Sequence, residues 1–398
     1  MNNYLISGNA AECCGCTACV NICPNKCIEL KTNEEGFLYP VKNNNRCLNC
    51  GLCEKVCPQS EDYRIVTKDN PSVYAAYDEN NRSGSSSGGI FYTIAKYVIE
   101  NRHGLVFGAA FDKQLKLKHI GIDNVNDLER LRGSKYLQSE MGDTYSQIKK
   151  LLINGIFVFF VGTPCQIAGL RCFLGYKDYD NLLLADIVCH GVPSQWLFDE
   201  HVNYLEKKHK AKLVSYQFRK PNGWGGCEIA DFEHPQKHKE LPSYDLSPYL
   251  YSFMHSMTYR ESCYTCKFAS VPRQGDVSLA DYWGARYYFP EFDTSEGVSL
   301  VLLNTEKGEK IWNNIKGSCM VRESTLKDAS VYNGNLIHKT DRPVIRDDIY
   351  RRIHKYGYKA VAENDFRIKQ YWLHALKIYI ANNKWVHKIK SYINKVIR

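Results

Sequence analysis

The sequence predicts a chain of α+β and α/β class in three parts. These are an N-terminal ferredoxin-type 2[4Fe-4S] fold, a larger mixed α/β domain and a helical C-terminal tail. Three observations carry this. A cysteine run occurs twice within the first 60 residues. From Ser72 onward, strand-length and helix-length apolar patterns alternate. Finally, Arg351–Arg398 holds twelve Lys and Arg against Glu363 and Asp365, so nearly all of the net charge of +9 belongs to the end of the chain. The limits read from these shifts are 1–60, 72–330 and 331–398, with the polar stretch Ser60–Pro71 as a linker. At 398 residues, two or three domains with a sizeable core are expected.

The cysteine run decides the first part. Cys13, Cys16, Cys19 and Cys23 precede Pro24, and Cys47, Cys50, Cys53 and Cys57 precede Pro58. Each half reads C-x2-C-x2-C-x3-C-P, the two-cluster bacterial ferredoxin spacing, in which the fourth thiolate ligates the other cluster. One [4Fe-4S] cluster is therefore assigned to Cys13, Cys16, Cys19 and Cys57, and the second to Cys47, Cys50, Cys53 and Cys23. Structural zinc also uses C-x2-C pairs, but it has no use for a third Cys at the same step or for the trailing Pro. Cys14 and Cys27 fall outside the pattern and read as packing or spare thiols. Seventeen cysteines at metal spacing predict a reducing, cytoplasmic setting. The opening MNNYLISGNAAECC lacks the basic and apolar regions of a signal peptide. No apolar stretch approaches the roughly 20 residues of a membrane span.

In the second part, Val73–Tyr77 reads as a strand, followed by the small-residue loop Arg82–Gly89. Residues 89–101 place Ile90, Ile94, Val98 and Ile99 on one helical face. Strands are expected at Leu105–Phe111, Leu117–Ile122, Ile156–Val161, Leu182–Val188, Leu213–Phe218, Glu228–Phe232, Val277–Tyr282 and Val298–Leu303. Helices are expected at Tyr145–Ile153, Gln166–Phe173, Ser194–Lys207 and Glu306–Ile315. No strand is followed by G-x-G-x-x-G and no G-x4-G-K-[ST] occurs, so neither a Rossmann fingerprint nor a P-loop is supported.

Four stretches stand out as sites. Ser83–Gly89 precedes a helix, where small residues let backbone N–H groups approach a phosphate, although composition alone also fits an ordinary loop. In Gly162-Thr163-Pro164-Cys165-Gln166, Thr163 is the expected N-cap and Pro164 the first helical residue. Cys165 and Gln166 then lie at a strand's carboxyl edge, where open α/β sheets bind ligands. A thiol there is expected to have a lowered pKa and to serve as nucleophile or metal ligand. Cys189-His190-Gly191 ends the next apolar strand. Cys263-Tyr264-Thr265-Cys266 is a lone C-x2-C, followed by Asp276 and Asp281-Tyr282-Trp283-Gly284, where Trp283 reads as core.

SSGG (86–89), RGSKY (132–136), GTPCQIAGLR (162–171), VCHGVPS (188–194), CYTC (263–266) and DYWG (281–284) occur in this order. Together they resemble the coenzyme F420 hydrogenase/dehydrogenase beta subunit family, over roughly Ser72 to Lys310. The resemblance implies an FAD-binding α/β domain that exchanges electrons with iron–sulfur centres. It implies flavin contacts at Ser86, Ser87, Gly88, Gly89, Lys135, Tyr136, Thr163 and Gln166. The hydrogenase subunit proper lacks the two-cluster head, and the basic tail has no placed counterpart. Family members serve the deazaflavin F420, a hydroxymethyl-chlorophyll, or unknown substrates of surface-polysaccharide loci. The expected partners are accordingly a small-molecule acceptor and a redox protein, either a ferredoxin or a dehydrogenase or hydrogenase subunit.

Of the seven cysteines beyond the head, only Cys165, Cys189, Cys263 and Cys266 lie in distinctive contexts. A parallel sheet would bring Cys165 and Cys189 to one edge. A third [4Fe-4S] cluster on these four thiols is expected, with zinc as the alternative. In the tail, Trp372, Leu373, Leu376, Ile380, Trp385, Ile389 and Ile393 recur near helical spacing among Lys377, Lys384, Lys388, Lys390 and Lys395. Such a helix either packs on the protein's own body or lies on an anionic membrane surface. No nucleic-acid motif accompanies the charge.

Overall fold

The computed structural model describes residues 3–220, 224–233, 238–368 and 371–382. The head begins with two cysteine loops that share one backbone device. Gly15 and Thr17 flank Cys16 with φ of 72° and 63°, and Asn49 and Gly51 flank Cys50 with 51° and 71°. These left-handed residues turn each loop so that three thiols two residues apart face inward. Short helices, Ala18–Ile22 and Leu52–Lys55, continue from the loops, and an antiparallel hairpin of β1 (Ile28–Thr32) and β2 (Leu38–Lys42) joins them.

The body runs through β3 (Ser72–Tyr77), β4 (Leu105–Phe111), β5 (Leu117–Ile122), β6 (Val158–Gly162), β7 (Leu182–Ile187), β8 (Leu213–Arg219), β9 (Gly226–Phe232), β10 (His238–Leu241), β11 (Val277–Asp281), β12 (Ser299–Leu303) and β13 (Met320–Ser324). Eight of these form one mixed sheet in the order β13-β3-β12-β11-β7-β6-β4-β5, and β8, β9 and β10 form a separate small sheet. The centre of the large sheet is parallel, β4 to β6 to β7 to β11. Its strands are largely apolar runs because helices cover both faces, with polar exceptions such as Asp186 in β7 and Ser278 in β11. The helix Ile90–Arg102 buries Ile90, Ile94, Val98 and Ile99 against this sheet.

The expected strands and helices lie at these places, with ends shifted by a few residues. Elements without a sequence expectation include β10, β13 and the helices Pro248–Met254, Ala285–Tyr288 and Leu326–Val331. β10 (HKEL) and β13 (MVRES) are edge strands with mostly exposed side chains, so they carry no apolar alternation to detect.

The head is not a bead on a loose linker. Cys14, Cys16, Ala18 and Val56 pack into the same core as Tyr145, Ile167, Leu170 and Phe173 of the body. Phe37 and Tyr39 join a second core with Leu197, Phe198, Tyr249 and Tyr350. The segment read as a linker is strapped down: Lys68 pairs with Glu309 at 2.7 Å, and Arg64 N–H donates to Tyr176 Oη at 3.0 Å.

The segment read as the start of the tail also belongs to the body. Ile349, Tyr350, Ile353, Tyr358, Val361, Ala362 and Phe366 are buried in the second core. Their helices, Arg346–Tyr356 and Tyr358–Asn364, turn these apolar residues inward and their charged residues other than Arg346 outward, so charge alone does not reveal their place in the core. The helix Tyr371–Asn382 touches the body where Tyr371 Oη donates to Leu246 O at 3.2 Å and His374 Nε2 meets Asp245 Oδ2 at 3.1 Å. Trp372, Leu373 and Leu376 on it are exposed. The tail pattern from Trp385 onward, with Ile389, Ile393 and Lys384–Lys395, lies outside the described residues. No described helix is long and apolar enough to cross a membrane.

Arg346 clamps head to body. Its guanidinium donates to both Glu35 oxygens at 2.6 Å and to Tyr259 O at 3.0 Å, with the arginine 2% exposed. Losing this charge-assisted bidentate contact, whose Glu35 end keeps some access to solvent, costs about 1.5–3 kcal/mol. R346A should therefore lower the melting temperature of the full chain and speed proteolysis between head and body. Unchanged melting in both R346A and E35A would show the clamp to be idle.

Candidate electron-transfer site

The parallel strands end at one edge, and the chemistry collects there. β6 leads into the helix Pro164–Phe173, β7 into Val188-Cys189-His190, and β11 into Tyr282-Trp283-Gly284. Thr163 is the N-cap and Pro164 opens the helix, as the sequence predicts, and Thr163 N–H donates to Gln166 Oε1 at 2.9 Å. Cys165 therefore faces out of the first turn of a well-capped helix.

Cys165, Cys189, Cys263 and Cys266 line one cavity, together with Thr163 and Gln166. Four thiols from three loops separated by up to a hundred residues converge there. The CYTC loop is held against the sheet by a buried ion pair: Arg273 Nη2 donates to Asp186 Oδ1 at 2.9 Å, with both side chains fully buried. Gln274 N–H and Gly275 N–H complete the shell of Asp186 at 2.7 and 2.9 Å. Sequence reasoning missed this pair, although an Asp inside the apolar run LLLADIV was a visible signal.

The two sets of head thiols are likewise brought together. Cys23, Cys47, Cys50 and Cys53 line an outer cavity of about 160 Å³. Cys13, Cys16, Cys19 and Cys57 line an inner one. Cys50 alone among the seventeen cysteines is exposed.

Two thiols set aside on spacing prove to be placed. Cys27 lines the outer cavity, with its Sγ 3.3 Å from that of Cys23. Cys14 lines both the inner cavity and the Cys165 cavity, so it is not a spare thiol but the wall between two sites. The helix Pro164–Phe173 comes close enough for this because of Gly169. A Cβ there would lie 2.8 Å from Cys16 Cβ and 2.9 Å from Cys16 Sγ.

The thiol of Cys165 does not have the lowered pKa that its helix position predicts. The neighbouring Cys14 thiol and burial push it well above the usual range, outweighing the helix end. Burial likewise pushes Cys189 up to about 12 and Cys266 to about 11. Such thiols ionise when a metal centre compensates the thiolate charge, as ligation requires. Among the described residues, no three His, Cys, Asp or Glu side chains are placed to hold one metal ion.

The residues expected at flavin divide into two groups. Thr163 and Gln166 belong to the thiol cavity. Ser86–Gly89 does not line it. That loop instead meets the RGSKY stretch: Ser134 N–H donates to Ser86 Oγ at 2.8 Å, and Ser87 Oγ donates to Val298 O at 3.0 Å. Lys135 Nζ is spent on the carbonyls of Arg130, Leu131 and Arg132 at 3.3, 3.0 and 2.7 Å. The Tyr136 ring stacks on Phe253 at 4.5 Å.

Trp283 is not simply core. It stacks parallel to Trp224 at 5.0 Å, and Trp224 Nε1 donates to Asp281 Oδ1 at 2.9 Å. A Cβ on Gly297 would lie 3.0 Å from Ser87 Cα and 3.5 Å from Trp224 Cδ1, which sets this aromatic pair beside the loop. The pair joins residues 59 apart in sequence, so no local pattern announces it.

Gln166 Nε2 donates to Ser139 Oγ at 3.0 Å, the Ser139 hydroxyl donates to His119 Nδ1 at 2.9 Å, and His119 Nε2–H donates to Val161 O at 3.0 Å. This chain fixes the cap of the thiol-bearing helix to β5 and β6. Burial lowers His119 from its ordinary 6.5 to about 4.

Residues 157–329 match the family described as the C terminus of the coenzyme F420 hydrogenase/dehydrogenase beta subunit, and residues 12–60 match the 4Fe-4S dicluster domain. The α/β body is similar to that beta-subunit family over residues 157–329. Its head is a 4Fe-4S dicluster domain. A coenzyme F420-dependent sulfite reductase of Methanocaldococcus jannaschii is 26% identical over 331 residues, 79% of this chain and 47% of that protein. The chain thus spans about half the length of that relative. A ketoisovalerate oxidoreductase subunit VorC of Methanothermobacter marburgensis is 36% identical over 53 residues, 13% of this chain and 67% of that protein. Among solved structures, the F420-reducing [NiFe] hydrogenase complex of Methanosarcina barkeri has a chain 17% identical, with a TM-score of 0.48. The match covers 72% of this chain and 93% of that one.

Two outcomes are expected at this site. The unfolded chain takes up the His119 proton between pH 6.5 and about 4 while the folded chain does not, so stability falls as the pH drops through that window. H119Q should flatten the dependence of melting temperature on pH between 7 and 5; a slope identical to wild type would remove His119 as its source. Separately, G169L forces a side chain into the contact with Cys16. Overpacking of this kind costs about 1–3 kcal/mol, read as a lowered melting temperature.

Proposed function

We propose that this chain is a ferredoxin-linked, FAD-dependent iron–sulfur oxidoreductase of a reducing compartment. It moves electrons from the dicluster head through a third [4Fe-4S] centre and FAD to an organic acceptor. The acceptor is a deazaflavin of the F420 type or a substrate of a surface-polysaccharide pathway. The single observation that carries this reading is that the thiol cavities adjoin in series. Cys53 lines both outer and inner cavities, and Cys14 lines both the inner cavity and that of Cys165.

In this reading Cys47, Cys50, Cys53 and Cys23 hold the outer cluster, and Cys13, Cys16, Cys19 and Cys57 the inner one. Cys165, Cys189, Cys263 and Cys266 hold the third. Clusters supply single-electron transfer, and a flavin exchanges one or two electrons. Ser86, Ser87, Gly88 and Gly89 take the flavin with Ser134, backed by the Trp224–Trp283 pair. The fit rests on two buried guanidinium Nε–H groups without hydrogen-bond partners among the described residues, Arg132 Nε beside the loop and Arg219 Nε beside Trp283, whose Nη atoms pair with Glu129 and Asp281. Gly133 also leaves space open opposite Ser86. Lys135 and Tyr136 act here from behind, fixing the backbone that carries Ser134. That same backbone reaches the thiol cavity at Leu137, Gln138 and Ser139. Four steps along the chain lead from Ser134 to Gln138, which bounds their separation to about 14 Å, a short path between flavin loop and thiols.

A redox protein is the partner expected at the exposed outer thiols. The exposed Trp372, Leu373 and Leu376, leading into the basic end of the chain, support a peripheral contact with anionic lipid. Truncation after Asp365 should then abolish co-sedimentation with anionic vesicles; unchanged binding would end that part of the proposal.

The central test counts metal and flavin in the anaerobically purified full chain. About twelve irons are expected with three clusters against about eight with two, and about one FAD is released on denaturation. C263A should lose a third of the iron and keep the rest. Zinc in place of that third, or iron unchanged by C263A, would overturn the third cluster. Iron-loaded protein that neither carries nor takes up FAD would overturn the flavin. Reduced chain that turns over F420 or a sugar nucleotide unaided is an enzyme in its own right. Transfer that occurs only with a second subunit present would mark it as an electron-transfer subunit.

A further inference from the structure

Three arginines are among the largest fully buried side chains: Arg260, Arg273 and Arg346. Two have carboxylates, Arg273 with Asp186 and Arg346 with Glu35. Arg260, 0% exposed, has none among the described residues. Its Nε donates to Cys13 O at 2.6 Å, its Nη1 to Gln138 Oε1 at 3.0 Å, and its Nη2 to Leu38 O at 3.1 Å and to Cys13 Sγ at 3.3 Å. The guanidinium carbon lies 4.0 Å from the centroid of the Tyr39 ring.

A desolvated cation without an anion is costly by several kcal/mol. Carbonyls and a ring face satisfy its donors but do not cancel its charge. The anionic atom in reach is the sulfur of Cys13, once that sulfur is a thiolate. Gly15 keeps the approach open, since a Cβ there would lie 3.1 Å from Arg260 Nη1.

We propose that Arg260 is the built-in counter-charge of the inner [4Fe-4S] cluster and holds its reduction potential up. The inference rests on Cys13 being an inner-cluster ligand. An electron arriving from an external donor adds one negative charge to a unit that is already anionic, and no proton need move. A fixed positive charge in a dry site favours the reduced form more than the oxidised form, because Coulomb energies grow as the dielectric falls. The hydrogen bond to a ligand sulfur acts in the same direction. Arg260 is a positioning and tuning residue, and it lies three residues before the CYTC loop. The segment that carries third-site thiols therefore also carries the charge that sets the potential next door.

The test is a potentiometric titration of the anaerobic holoprotein, followed by EPR. R260Q should lower one cluster midpoint, changing the ratio of reduced to oxidised cluster at fixed ambient potential by tenfold or more, which is about 59 mV for one electron. The other cluster midpoints should stay within twofold on the same scale. R260K, which keeps the charge but not the fork, should fall between R260Q and wild type. Where R260Q does not retain its iron, Q138E decides. It sets a carboxylate against Arg260 Nη1 with little change in volume and should lower the same midpoint. Fully iron-loaded R260Q or Q138E with every midpoint within twofold of wild type would overturn the proposal, as would an equal shift of all clusters. Failure of the ligand assignment itself would be seen separately, as wild-type protein with fewer than about eight irons.

Discussion

The structure turns on the seam where the first cysteine loop is pressed against the helix Pro164–Phe173. A small cluster-binding fold buries little apolar surface of its own, so its order comes from what it packs against. Here Cys14, Cys16 and Ala18 lie in one core with Ile167 and Leu170, and Gly169 removes the side chain that would keep the two backbones apart. The same contact stabilises the head, closes the inner cavity from the body side and leaves one thiol, Cys14, between two cavities. In the proposed electron path, structural and electronic connection would come from a single packing event. The Arg346–Glu35 clamp and the strapped segment around Lys68 hold the far sides of the head.

Much of this is legible in the sequence alone. The doubled C-x2-C-x2-C-x3-C-P run carries its own geometry, because fixed steps between thiols leave few ways to wrap a loop. The central strands are legible because burial on both faces makes them largely apolar runs. Thr163, Pro164 and Gln166 announce a helix start by local rules, and the parallel order of β6 and β7 brings Cys165 and Cys189 to one edge.

The remainder depends on distance in sequence. Asp186 and Arg273 are 87 residues apart, and Trp224 and Trp283 are 59 apart. Neither pair has a periodicity to detect. Cys14 looks idle because the ferredoxin spacing does not use it; its role follows from the docking of the head, which spacing does not describe. The acidity of Cys165 is misjudged from sequence for a related reason. A helix end favours a thiolate only to the extent that the site stays polar, and a dry cavity crowded with other thiols reverses the balance. The basic character of the last segment also hides a buried stripe, since Ile349, Ile353 and Val361 are inward residues on helices whose outward face is charged.

The two cysteine loops use the same left-handed residues on either side of their middle thiol, yet they meet opposite surroundings. Cys16 is buried under the body, whereas Cys50 is open to solvent. Dioxygen and peroxide therefore reach the two halves of one pseudo-symmetric module at very different rates. In the proposed electron path, oxidative damage in air would then begin at the outer cluster, at the solvent-facing end of that path, and reach the buried half later.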